Sequence, residues 1–545
     1  MLELPAKHGY EVDRESFRLD VPEDFNFGFD VIGARAREAN KTAYIYVDRS
    51  GTTIEHHSFD DLDRRSNRFA RVLLGMEVAP GDHALVMIPR LPAWYEVLVG
   101  CMKAGVVAMP ATIQLTPKDI AYRINKSRAR IVIVTADHAS KVDDIRAECP
   151  SLEHAIIVGG EAKDWVAYEA ACQDASDRLE RGEVASNLAT DPMLVYFTSG
   201  TTSLPKMVPR DHAYALAHVI TGHYWMDLSE RDIHWTLSDT GWAKAAWGML
   251  FPQWLVGATV VLYDGDPHFD AHAHLSLIEK LGVTTFCAPP TVYRLFAQSD
   301  LAAYNLDSIR HSLSAGEPLN PEVIRVWEQA TGTQPHDGYG QTETINIVAN
   351  YPGVPIRPGS MGKPVPGLDV DIVDEEGNRL GDEQPGHIAV RVTDPYPPGL
   401  FRGYFEEPQA NEKCFRNGWY YTGDTATRDG DGYIWFVGRA DDIITSAGYR
   451  ISPFEVESAL QEHPAVAESA VIGKPDDLRG EIVKAFVILA PGHEASEELR
   501  EEIQTFVKNL TAPYKYPREV EFRDSLPKTI SGKIRRTELR AEARG

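Results

Sequence analysis

Alternation between two hydrophobic patterns is the feature that most limits how this chain can fold. Between residues 31 and 190, apolar residues at helical spacing alternate with short apolar runs that are typical of buried strands. The helical patterns cover residues 59–74, 94–104 and 117–127, and the apolar runs cover residues 84–89, 106–111, 131–136 and 155–159. Such alternation predicts right-handed β-α-β units, and therefore a parallel sheet with helices on both faces.

The alternation resumes after a central segment, with predicted strands at residues 258–263, 283–288 and 309–314 and a helix at 272–281. These strands end in glycine, proline or small polar residues, as in Ala-Gly-Glu-Pro after the third one. In open parallel sheets, ligands bind beyond the carboxyl ends of the strands. The repeated endings therefore predict one shared cleft.

The sequence texture changes near residue 360, where glycines and prolines crowd together. Alternating strands at 368–373, 387–392 and 433–437, with a hairpin turn at 374–378, predict an antiparallel β subdomain. Helical patterns at 453–462 and 497–510 then mix with strands at 467–472, 482–489 and 519–522, which predicts a compact α+β domain.

The predicted fold class is therefore α/β and α+β multidomain. A large N-terminal domain, residues 1–438, would hold the parallel α/β layers at about 31–357 and the β subdomain at about 358–438. A small C-terminal domain would comprise residues 439–545.

Composition excludes several function classes. The 545 residues include 55 basic and 80 acidic side chains, and the net charge of −25 argues against non-specific nucleic-acid binding. The 5 cysteines are scattered without a C-x-x-C pair, so neither a zinc site nor a disulfide framework is indicated. The acidic N-terminus lacks the apolar core of a signal peptide, and no apolar run is long enough to predict a membrane span. A cytoplasmic protein is expected.

A hydroxyl-rich loop follows the apolar run 193–197, with the sequence T-S-G-T-T-S-L-P-K ending at Lys206. Backbone N–H groups, hydroxyls and one ammonium are the groups that bind phosphate, and a helix at 213–223 is predicted to follow. The loop is not a Walker A motif, because that motif needs Gly before the lysine and Ser or Thr after it. Here Pro205 and Met207 flank the lysine. The sequence predicts a phosphate loop of another kind.

Three further clusters carry residues suited to nucleotide chemistry. Glu343, at the end of D-G-Y-G-Q-T-E, could bind magnesium together with phosphate oxygens. Asp424, after a glycine in Y-T-G-D, could bind a ribose diol, and Lys533 in K-T-I-S-G-K could stabilise developing negative charge. Each also has a structural interpretation: a surface acid at a helix start, a turn residue and a solvated lysine of the C-terminal tail, respectively.

The motifs Y-F-T-S-G-T-T-S-L-P-K, D-G-Y-G-Q-T-E, Y-T-G-D, G-R-A-D-D-I-I and K-T-I-S-G-K occur in this order. Together they resemble the adenylate-forming, or AMP-binding, superfamily, from about residue 35 to the C-terminus. The stretches S-D-T-G-W-A-K-A-A-W and G-Y-R-I-S-P-F-E-V-E are most similar to its medium-chain acyl-CoA synthetase branch.

The resemblance implies an AMP-forming acid–thiol ligase of fatty acid metabolism that uses ATP, Mg²⁺ and coenzyme A. A carboxylate attacks the α-phosphate of ATP, which releases pyrophosphate and leaves an acyl-adenylate. Coenzyme A then forms the thioester and AMP is released. Cationic groups and magnesium must screen the two reacting anions, and water must be excluded from the mixed anhydride.

The resemblance also implies roles for individual residues. Lys533, Thr342, Glu343 and Lys206 would be catalytic, with Lys533 bridging the carboxylate and the α-phosphate and Glu343 binding the metal. Nucleotide and coenzyme A contacts would come from Thr198, Ser199, Gly200, Thr201, Thr202, Gly316, Glu317, Pro318, Asp337, Gly338, Tyr339, Asp424, Arg439, Gly448, Tyr449 and Arg450.

Asp441 resembles the hinge residue of the family, about which the mobile C-terminal domain would rotate between the two half-reactions. Lys533 would face the cleft during adenylation, and the loop around Gly448 would replace it during thioester formation. The family usually has glycine where this chain has Ser203, so the phosphate loop should be shaped differently.

Substrate choice is predicted at Gly340, because acetate-specific relatives carry Trp at this position, where it blocks the acid pocket. Space for a medium-chain, branched or aromatic acid is therefore expected, with a pocket lined by Trp242, Ala245, Ala246, Trp247 and Gly248. Two alternatives remain open: acyl transfer to a carrier-protein thiol or an amine, and a non-catalytic acyl- or nucleotide-binding homologue. The expected partners are small molecules, and a homo-oligomer is an open alternative.

Overall fold

A computed structural model of the chain describes residues 4, 6–38, 40–198, 204–265, 269–316, 321–440, 442–447, 449–476, 478–528 and 534–544. The chain divides into two compact units. The first contains the residues up to Thr198 together with Met207–Leu368 and Thr393–Pro408. The second contains Asp369–Val392, the chain from Gln409 onward and the short stretch ending at Lys206. The predicted boundary at residue 438 stays a prediction.

The larger sheet of the first unit has nine strands within the described residues. Its six central strands run parallel. One strand at one edge and two at the other complete it, each paired antiparallel with its neighbour. In spatial order the strands are Lys363–Pro364, Asn346–Ala349, Pro335–Gly340, His311–Ala315, Thr285–Ala288, Ile233–Thr236, Thr259–Tyr263, Thr42–Val47 and Ile54–Ser58.

The smaller sheet of the first unit has seven strands in the part of the chain that the structure describes. All run parallel except the last, which is antiparallel to its neighbour. In spatial order they are Val166–Ala167, His154–Val158, Ile131–Thr135, His83–Met87, Val107–Pro110, Pro192–Phe197 and Met207–Asp211. The apolar runs of the sequence thus form buried parallel strands, which confirms the α/β fold class.

Helices cover these sheets, and two of them begin at a capping box. Ser58 and Thr116 each form a capping box, with Asp61 and Asp119 as partners. The α-helices of this unit are Tyr10–Ser16, Gly33–Arg35, Phe59–Gly75, Pro92–Ala104, Pro117–Ser127, Ala139–Asp143, Tyr168–Asp174, His212–Val219, Ala243–Met249, Phe251–Val256, Ala271–Leu281, Pro290–Ala297 and Pro321–Thr331; π-helices lie at Gly28–Ile32 and Ile220–Trp225. None of the described helices is long and apolar enough to cross a membrane.

The described residues of the second unit form two smaller sheets. The antiparallel one consists of Val370–Val373, Gly386–Arg391, Phe415–Arg416, Trp419–Arg428 and Ile434–Arg439. The other consists of Ile444–Ser446, Tyr449–Ile451, Val466–Asp476, Gly480–Leu489 and Glu519–Phe522, and the helices Pro453–Gln461, Glu497–Leu510 and Arg536–Arg544 accompany it. A helix at Pro408–Cys414 connects the two units along the chain. The antiparallel β region and the α+β region match the elements predicted from the sequence.

The predicted order of strand, phosphate loop and helix is wrong in one respect. The residues after Lys206 form the strand Met207–Asp211, which pairs antiparallel with Pro192–Phe197. The helix starts only at His212, where the Asp211 side chain caps it. The strand forms because Met207 and Val208 are apolar and fully buried, although Pro209 weakens the strand signal in the sequence. The phosphate loop therefore joins a β-hairpin and does not lead into a helix N-terminus.

Close packing of the helices Phe59–Gly75 and Pro92–Ala104 depends on Gly100. A Cβ atom there would lie 2.9 Å from Phe69 Cδ1 and 2.9 Å from the Ser66 carbonyl oxygen. A backbone atom cannot yield as a flexible side chain can, so a larger residue would force the helices apart. Gly75, at the end of the first helix, has no atom within 4 Å of the corresponding position.

We expect Gly100→Ala to lower the free energy of unfolding by about 1–3 kcal/mol, because the methyl group overpacks the helix contact. The matched variant Gly75→Ala adds the same methyl group in open space. It should leave the free energy of unfolding unchanged or raise it by less than about 1 kcal/mol. Urea unfolding followed by tryptophan fluorescence measures both. Equal midpoints for the two variants would contradict this account of the helix contact.

Candidate active site

The predicted nucleotide residues of the first unit meet at one edge of the large sheet. Ala315 and Gly338 are paired in the parallel register of neighbouring strands, so Gly316 lies beside the Asp337–Tyr339 segment. Lys244 Nζ donates a hydrogen bond to the Ala315 carbonyl at 3.2 Å. The expectation that the strand ends share one cleft is consistent with this arrangement.

Asp337 sits in an environment that disfavours its charged form. Burial raises the pKa of its carboxyl group to about 7, although the residue as a whole keeps part of its surface exposed. A hydrogen bond from the Gly338 backbone N–H and the nearby Lys244 ammonium oppose this shift without cancelling it. A neutral carboxyl group can donate a hydrogen bond, which an ionised one cannot.

Glu343 is held in place by two residues that the sequence did not single out. Its Oε1 accepts a hydrogen bond from the Tyr404 hydroxyl at 2.8 Å, and the side chain is largely buried. Its backbone carbonyl accepts from the Arg210 guanidinium at 2.8 Å. Thr342, next to it, is half-buried. Tyr404 and Arg210 come from distant parts of the chain, so spacing around the D-G-Y-G-Q-T-E motif could not reveal them.

Glu343 is suited to a magnesium site of the nucleotide type. Such a site needs one or two carboxylates and takes its other ligands from phosphate oxygens and water. Among the described residues there is no group of three or more His, Cys, Asp or Glu side chains that could hold a metal alone. The Tyr404 hydrogen bond occupies one carboxylate oxygen, and it fixes the orientation of the other.

The predicted pocket residues lie around the helix Ala243–Met249. Trp242 precedes this helix and is half-buried, whereas Ala245 is fully buried. Gly241 packs so tightly that a Cβ atom there would lie 2.0 Å from the Thr112 backbone nitrogen. The Asp239 side chain accepts from Thr112 Oγ1 at 2.9 Å and from the Gly241 N–H at 2.8 Å, and burial raises its pKa. This loop is therefore fixed to the end of the strand Val107–Pro110.

Gly340 differs from the sequence-based expectation of open space beside it. A Cβ atom there would lie 2.3 Å from the Ile345 carbonyl oxygen and 2.7 Å from Cη2 of Trp247. An indole ring is thus present at this place, but it comes from the helix Ala243–Met249. Glycine is required because the strand Pro335–Gly340 pairs closely with Asn346–Ala349. Its role in substrate choice stays a prediction.

The second unit brings Asp424 and Arg439, two of the predicted nucleotide residues, together. They are paired in the antiparallel register of neighbouring strands, and Arg439 Nη1 lies 3.5 Å from Asp424 Oδ1. Asp424 is buried and Arg439 is exposed. An ion pair with one exposed partner adds little stability, so the pairing serves mainly to orient the buried carboxylate.

Tyr449 is half exposed, and its ring stacks on Tyr514 with centroids 4.1 Å apart and planes 14° apart. Tyr514 lies in A-P-Y-K-Y, far from the Gly448 loop in the chain, so no motif indicates it. Arg450 lies in the strand Tyr449–Ile451, where its backbone pairs with Thr445. The flanks of the Lys533 loop are joined by a bridge between Lys528 and Ile534.

Several predicted site residues lie outside the described residues, and their roles stay predictions. They are Ser199, Gly200, Thr201, Thr202, Glu317, Pro318, Asp441, Gly448 and Lys533. On either side of the phosphate loop, Thr198 and Lys206 are both half-buried.

Comparison with known proteins places this fold and site in one family. The AMP-binding enzyme model matches residues 33–405, and the model of the AMP-binding enzyme C-terminal domain matches residues 455–533. The chain therefore belongs to the AMP-binding enzyme family. As predicted, it is an AMP-forming acyl-CoA synthetase that uses ATP, Mg²⁺ and coenzyme A.

Individual relatives are similar over nearly the whole chain. Acyl-coenzyme A synthetase ACSM3, mitochondrial, from Rattus norvegicus is 43% identical over 542 residues, which are 97% of this chain and 93% of the relative. Acyl-coenzyme A synthetase ACSM4, mitochondrial, from Mus musculus is 45% identical over 539 residues, 96% and 92% of the two chains. A crystal structure of the anthranilate CoA ligase AuaEII in complex with anthranoyl-AMP has a TM-score of 0.87 and 32% identity, covering 96% of this chain and 98% of that one.

The raised pKa of Asp337 predicts a pH-dependent stability. Between its ordinary value of 3.8 and about 7, the unfolded carboxyl group is ionised while the folded one holds its proton, so stability falls as pH rises. Asp337→Asn removes this loss. We therefore expect the difference in melting temperature, variant minus unmodified protein, to be larger at pH 8 than at pH 5.

Asp232 provides the matched control for this experiment. Hydrogen bonds from Arg310, Thr284 and Ser229 outweigh its burial and lower its pKa to about 2. The ionised Asp232 carboxylate stabilises the fold, and this stability is lost only below the ordinary pKa of 3.8. Asp232→Asn should therefore lower the melting temperature equally at pH 5 and pH 8. A constant difference for Asp337→Asn as well would contradict the raised pKa.

Proposed function

We propose that this acyl-CoA synthetase prefers a medium-chain, branched or aromatic carboxylic acid to acetate. The observation that carries the proposal is that no side chain projects from the strand at Gly340, two residues before Thr342, so the apolar wall there is the Trp247 ring. An apolar ring next to a glycine suits a hydrophobic acid. The similar AuaEII structure holds anthranoyl-AMP, an aromatic acyl-adenylate, which favours an acid of this size.

In this proposal Thr342 donates a hydrogen bond to the α-phosphate, and Glu343 holds magnesium. The bound metal would screen the negative charge of the phosphates. Tyr404 holds the Glu343 carboxylate through its 2.8 Å hydrogen bond, and Arg210 holds the backbone of the same residue. The catalytic loop is thus supported before substrate binds, which limits reorganisation during the reaction.

Adenine would bind between Gly316 and the Asp337–Tyr339 segment, with Tyr339 stacking on the base, and Glu317 and Pro318 would extend this wall. Asp424, oriented by Arg439, would accept hydrogen bonds from the ribose hydroxyls. The remaining phosphates would be held by Thr198, Ser199, Gly200, Thr201, Thr202 and Lys206. Because this loop joins two strands of a hairpin, its own N–H groups and hydroxyls supply the contacts without a helix N-terminus.

Lys533 would neutralise charge between the acid and the α-phosphate. Rotation at Asp441 would then bring the Gly448 loop into use, with Tyr449 and Arg450 contacting coenzyme A. We add Tyr514 to this group, because its stacking on Tyr449 offers a flat aromatic surface that suits coenzyme A. The residues that would replace Lys533 for thioester formation would all come from the C-terminal part of the chain.

A panel of carboxylic acids tests the acid preference directly. With ATP, Mg²⁺ and coenzyme A present, pyrophosphate release should give a higher kcat/KM for hexanoate, octanoate or benzoate than for acetate. We expect a difference of at least about 10-fold, since each methylene in an apolar pocket contributes about 1–3 kcal/mol. Acetate as the substrate with the highest kcat/KM would overturn the preference. Mass spectrometry of the products would distinguish a CoA thioester from transfer to a carrier thiol or an amine.

The role of Lys533 is tested by separating the half-reactions. Lys533→Ala should reduce adenylate formation by at least about 100-fold, because the cation stabilises charge that develops in that step. Thioester formation from supplied acyl-adenylate should change by less than about 3-fold, because the loop would have left the cleft. Stopped-flow or quenched-flow assays with each substrate measure both steps.

Lys474 supplies the matched control, since it pairs with Glu519 on a strand of the second unit. Lys474→Ala removes a lysine of the same unit and should leave both half-reactions unchanged. Equal losses in both half-reactions of Lys533→Ala would count against the exchange of loops.

Location and assembly are separate proposals. We propose a cytoplasmic location, whereas the names of the two relatives above include the word mitochondrial. Cell fractionation would decide between these compartments. The oligomeric state, with a homo-oligomer as one alternative, is accessible to light scattering.

A further inference from the structure

Five buried polar side chains of the first unit lie together next to the strand Pro335–Gly340. This group, called the polar cluster below, consists of Arg210, Tyr214, His218, Trp247 and Asn346, all at most 6% exposed. Among the described residues, one polar atom of each has no hydrogen-bond partner: Nε, the hydroxyl, Nε2, Nε1 and Nδ2, respectively. An unsatisfied buried polar atom costs about 1–3 kcal/mol, so five in one cluster call for a physical explanation.

The members of the cluster contact one another. The Arg210 guanidinium lies over the Tyr214 ring at 3.8 Å, and the His218 ring meets the same ring edge-on at 4.5 Å. The ring centroids of His218 and Trp247 are 6.3 Å apart. The Trp247 N–H is close enough to Tyr214 to oppose the rise in pKa that burial causes there, yet the two groups lack hydrogen-bond geometry.

A chain of hydrogen bonds ties the cluster to the backbone at Gly340. His218 Nδ1 and Thr221 Oγ1 are 3.1 Å apart, and Thr221 Oγ1 donates to Asn346 Oδ1 at 2.6 Å. Asn346 pairs with Gly340 in the antiparallel register. Thr221 belongs to the π-helix Ile220–Trp225, and such distortions are frequent at functional sites.

The cluster also borders the predicted acid site. Cη2 of Trp247 is the atom that a side chain at Gly340 would meet at 2.7 Å, and Arg210 donates to the carbonyl of Glu343. The indole ring of Trp247 therefore links the two regions: one edge lies beside Gly340 and the N–H lies beside Tyr214. A substrate tail that lies along the Trp247 ring past Gly340 would approach these polar atoms.

Hydrogen-bond directions define what such a tail must offer. The Thr221 proton is used on Asn346, so Thr221 Oγ1 accepts from His218, whose proton therefore sits on Nδ1. Burial lowers the pKa of His218 well below its ordinary value, which leaves Nε2 as a neutral acceptor. The N–H groups of Trp247, Arg210 and Asn346 are donors. One acceptor among several donors matches a hydroxyl group, which donates one hydrogen bond and accepts two.

We propose that the polar cluster recognises a hydroxyl group on the tail of the acid, so that the substrate class is hydroxyl-bearing aromatic or medium-chain acids. This inference rests on the proposed function and narrows it. A second carboxylate fits less well, because it cannot donate to His218 Nε2 and its charge would have to be desolvated. Buried water molecules could satisfy the same atoms, and in that case a plain hydrocarbon tail would be the better substrate.

Paired acids test the proposal. Pyrophosphate release is measured for benzoate against 2-, 3- and 4-hydroxybenzoate, and for hexanoate against 6-hydroxyhexanoate, with terephthalate as the carboxylate-bearing probe. We expect at least one hydroxylated member to exceed its parent in kcat/KM by at least about 10-fold, because a site built for a hydroxyl group rejects the analogue that lacks it. Tyr214→Phe and His218→Leu should each lower that ratio by about 10-fold, with the parent acid changed by less than about 3-fold.

Tyr95→Phe is the matched control. It removes another fully buried hydroxyl that has no partner among the described residues but lies outside the cluster, so the ratio should stay constant. Tyr214→Phe should also leave the melting temperature of the ligand-free enzyme undiminished, which separates recognition from a structural role.

The outcomes are distinguishable. The inference would be overturned if the parent acids or terephthalate were preferred over every hydroxylated acid. It would also be overturned if neither cluster variant changed the ratio of kcat/KM between a hydroxylated acid and its parent. Either result would leave the proposed function intact. Absence of pyrophosphate release with every acid would overturn the proposed function, and the inference with it.

Discussion

Lack of space around the strand Pro335–Gly340 is the constraint on which the site depends. The strand is parallel to His311–Ala315 on one side and antiparallel to Asn346–Ala349 on the other. A Cβ atom at Gly338 would lie 2.4 Å from the Trp225 ring, and one at Gly340 would lie 2.3 Å from the Ile345 carbonyl oxygen. Two glycines thus allow the backbone to approach its neighbours, and this close approach fixes Thr342 and Glu343 directly beyond the strand.

Buried charge is the second requirement of the same region. Arg210 is only 1% exposed, and its guanidinium donates hydrogen bonds to the carbonyl oxygens of Glu343 and Gly399 instead of forming an ion pair among the described residues. Arginine suits this position because its planar fork donates in several directions and keeps its charge although burial lowers its pKa. The same side chain supports the catalytic loop from behind and places one further N–H beside Tyr214. Arg210 therefore both supports the loop that carries Glu343 and belongs to the polar cluster.

Local signals in the sequence predicted most elements of the fold. The helices Phe59–Gly75 and Pro117–Ser127 follow capping residues and regular apolar spacing, and the strand Ile131–Thr135 is a continuous apolar run. The strands Thr42–Val47, Met207–Asp211 and Ile233–Thr236 were missed, because each mixes apolar with polar residues and is stabilised by its neighbours in the sheet.

In the site, too, residues within local motifs could be predicted, and residues whose partners are distant in the sequence could not. Ordered motifs predicted Glu343, Asp424 and Arg439, and the structure brings the last two together in one register. Tyr404, Arg210 and Tyr514 could not be found in that way, because each contacts its partner across a long stretch of sequence and none belongs to a motif. Gly340 is the instructive case. Absence of a side chain suggested free space, whereas the backbone and Trp247 fill it.

The polar cluster explains why that distinction matters for specificity. If Gly340 simply enlarged an apolar pocket, selectivity between acids would come from methylene contacts of about 1–3 kcal/mol each. A wall whose indole ring presents its N–H beside a neutral histidine and a tyrosine hydroxyl discriminates on polarity, because a tail without a matching group leaves those atoms unsatisfied. The glycine then serves to bring the strand against Trp247, and the identity of the acid is decided by side chains of the helix His212–Val219, which precedes every residue of the D-G-Y-G-Q-T-E motif.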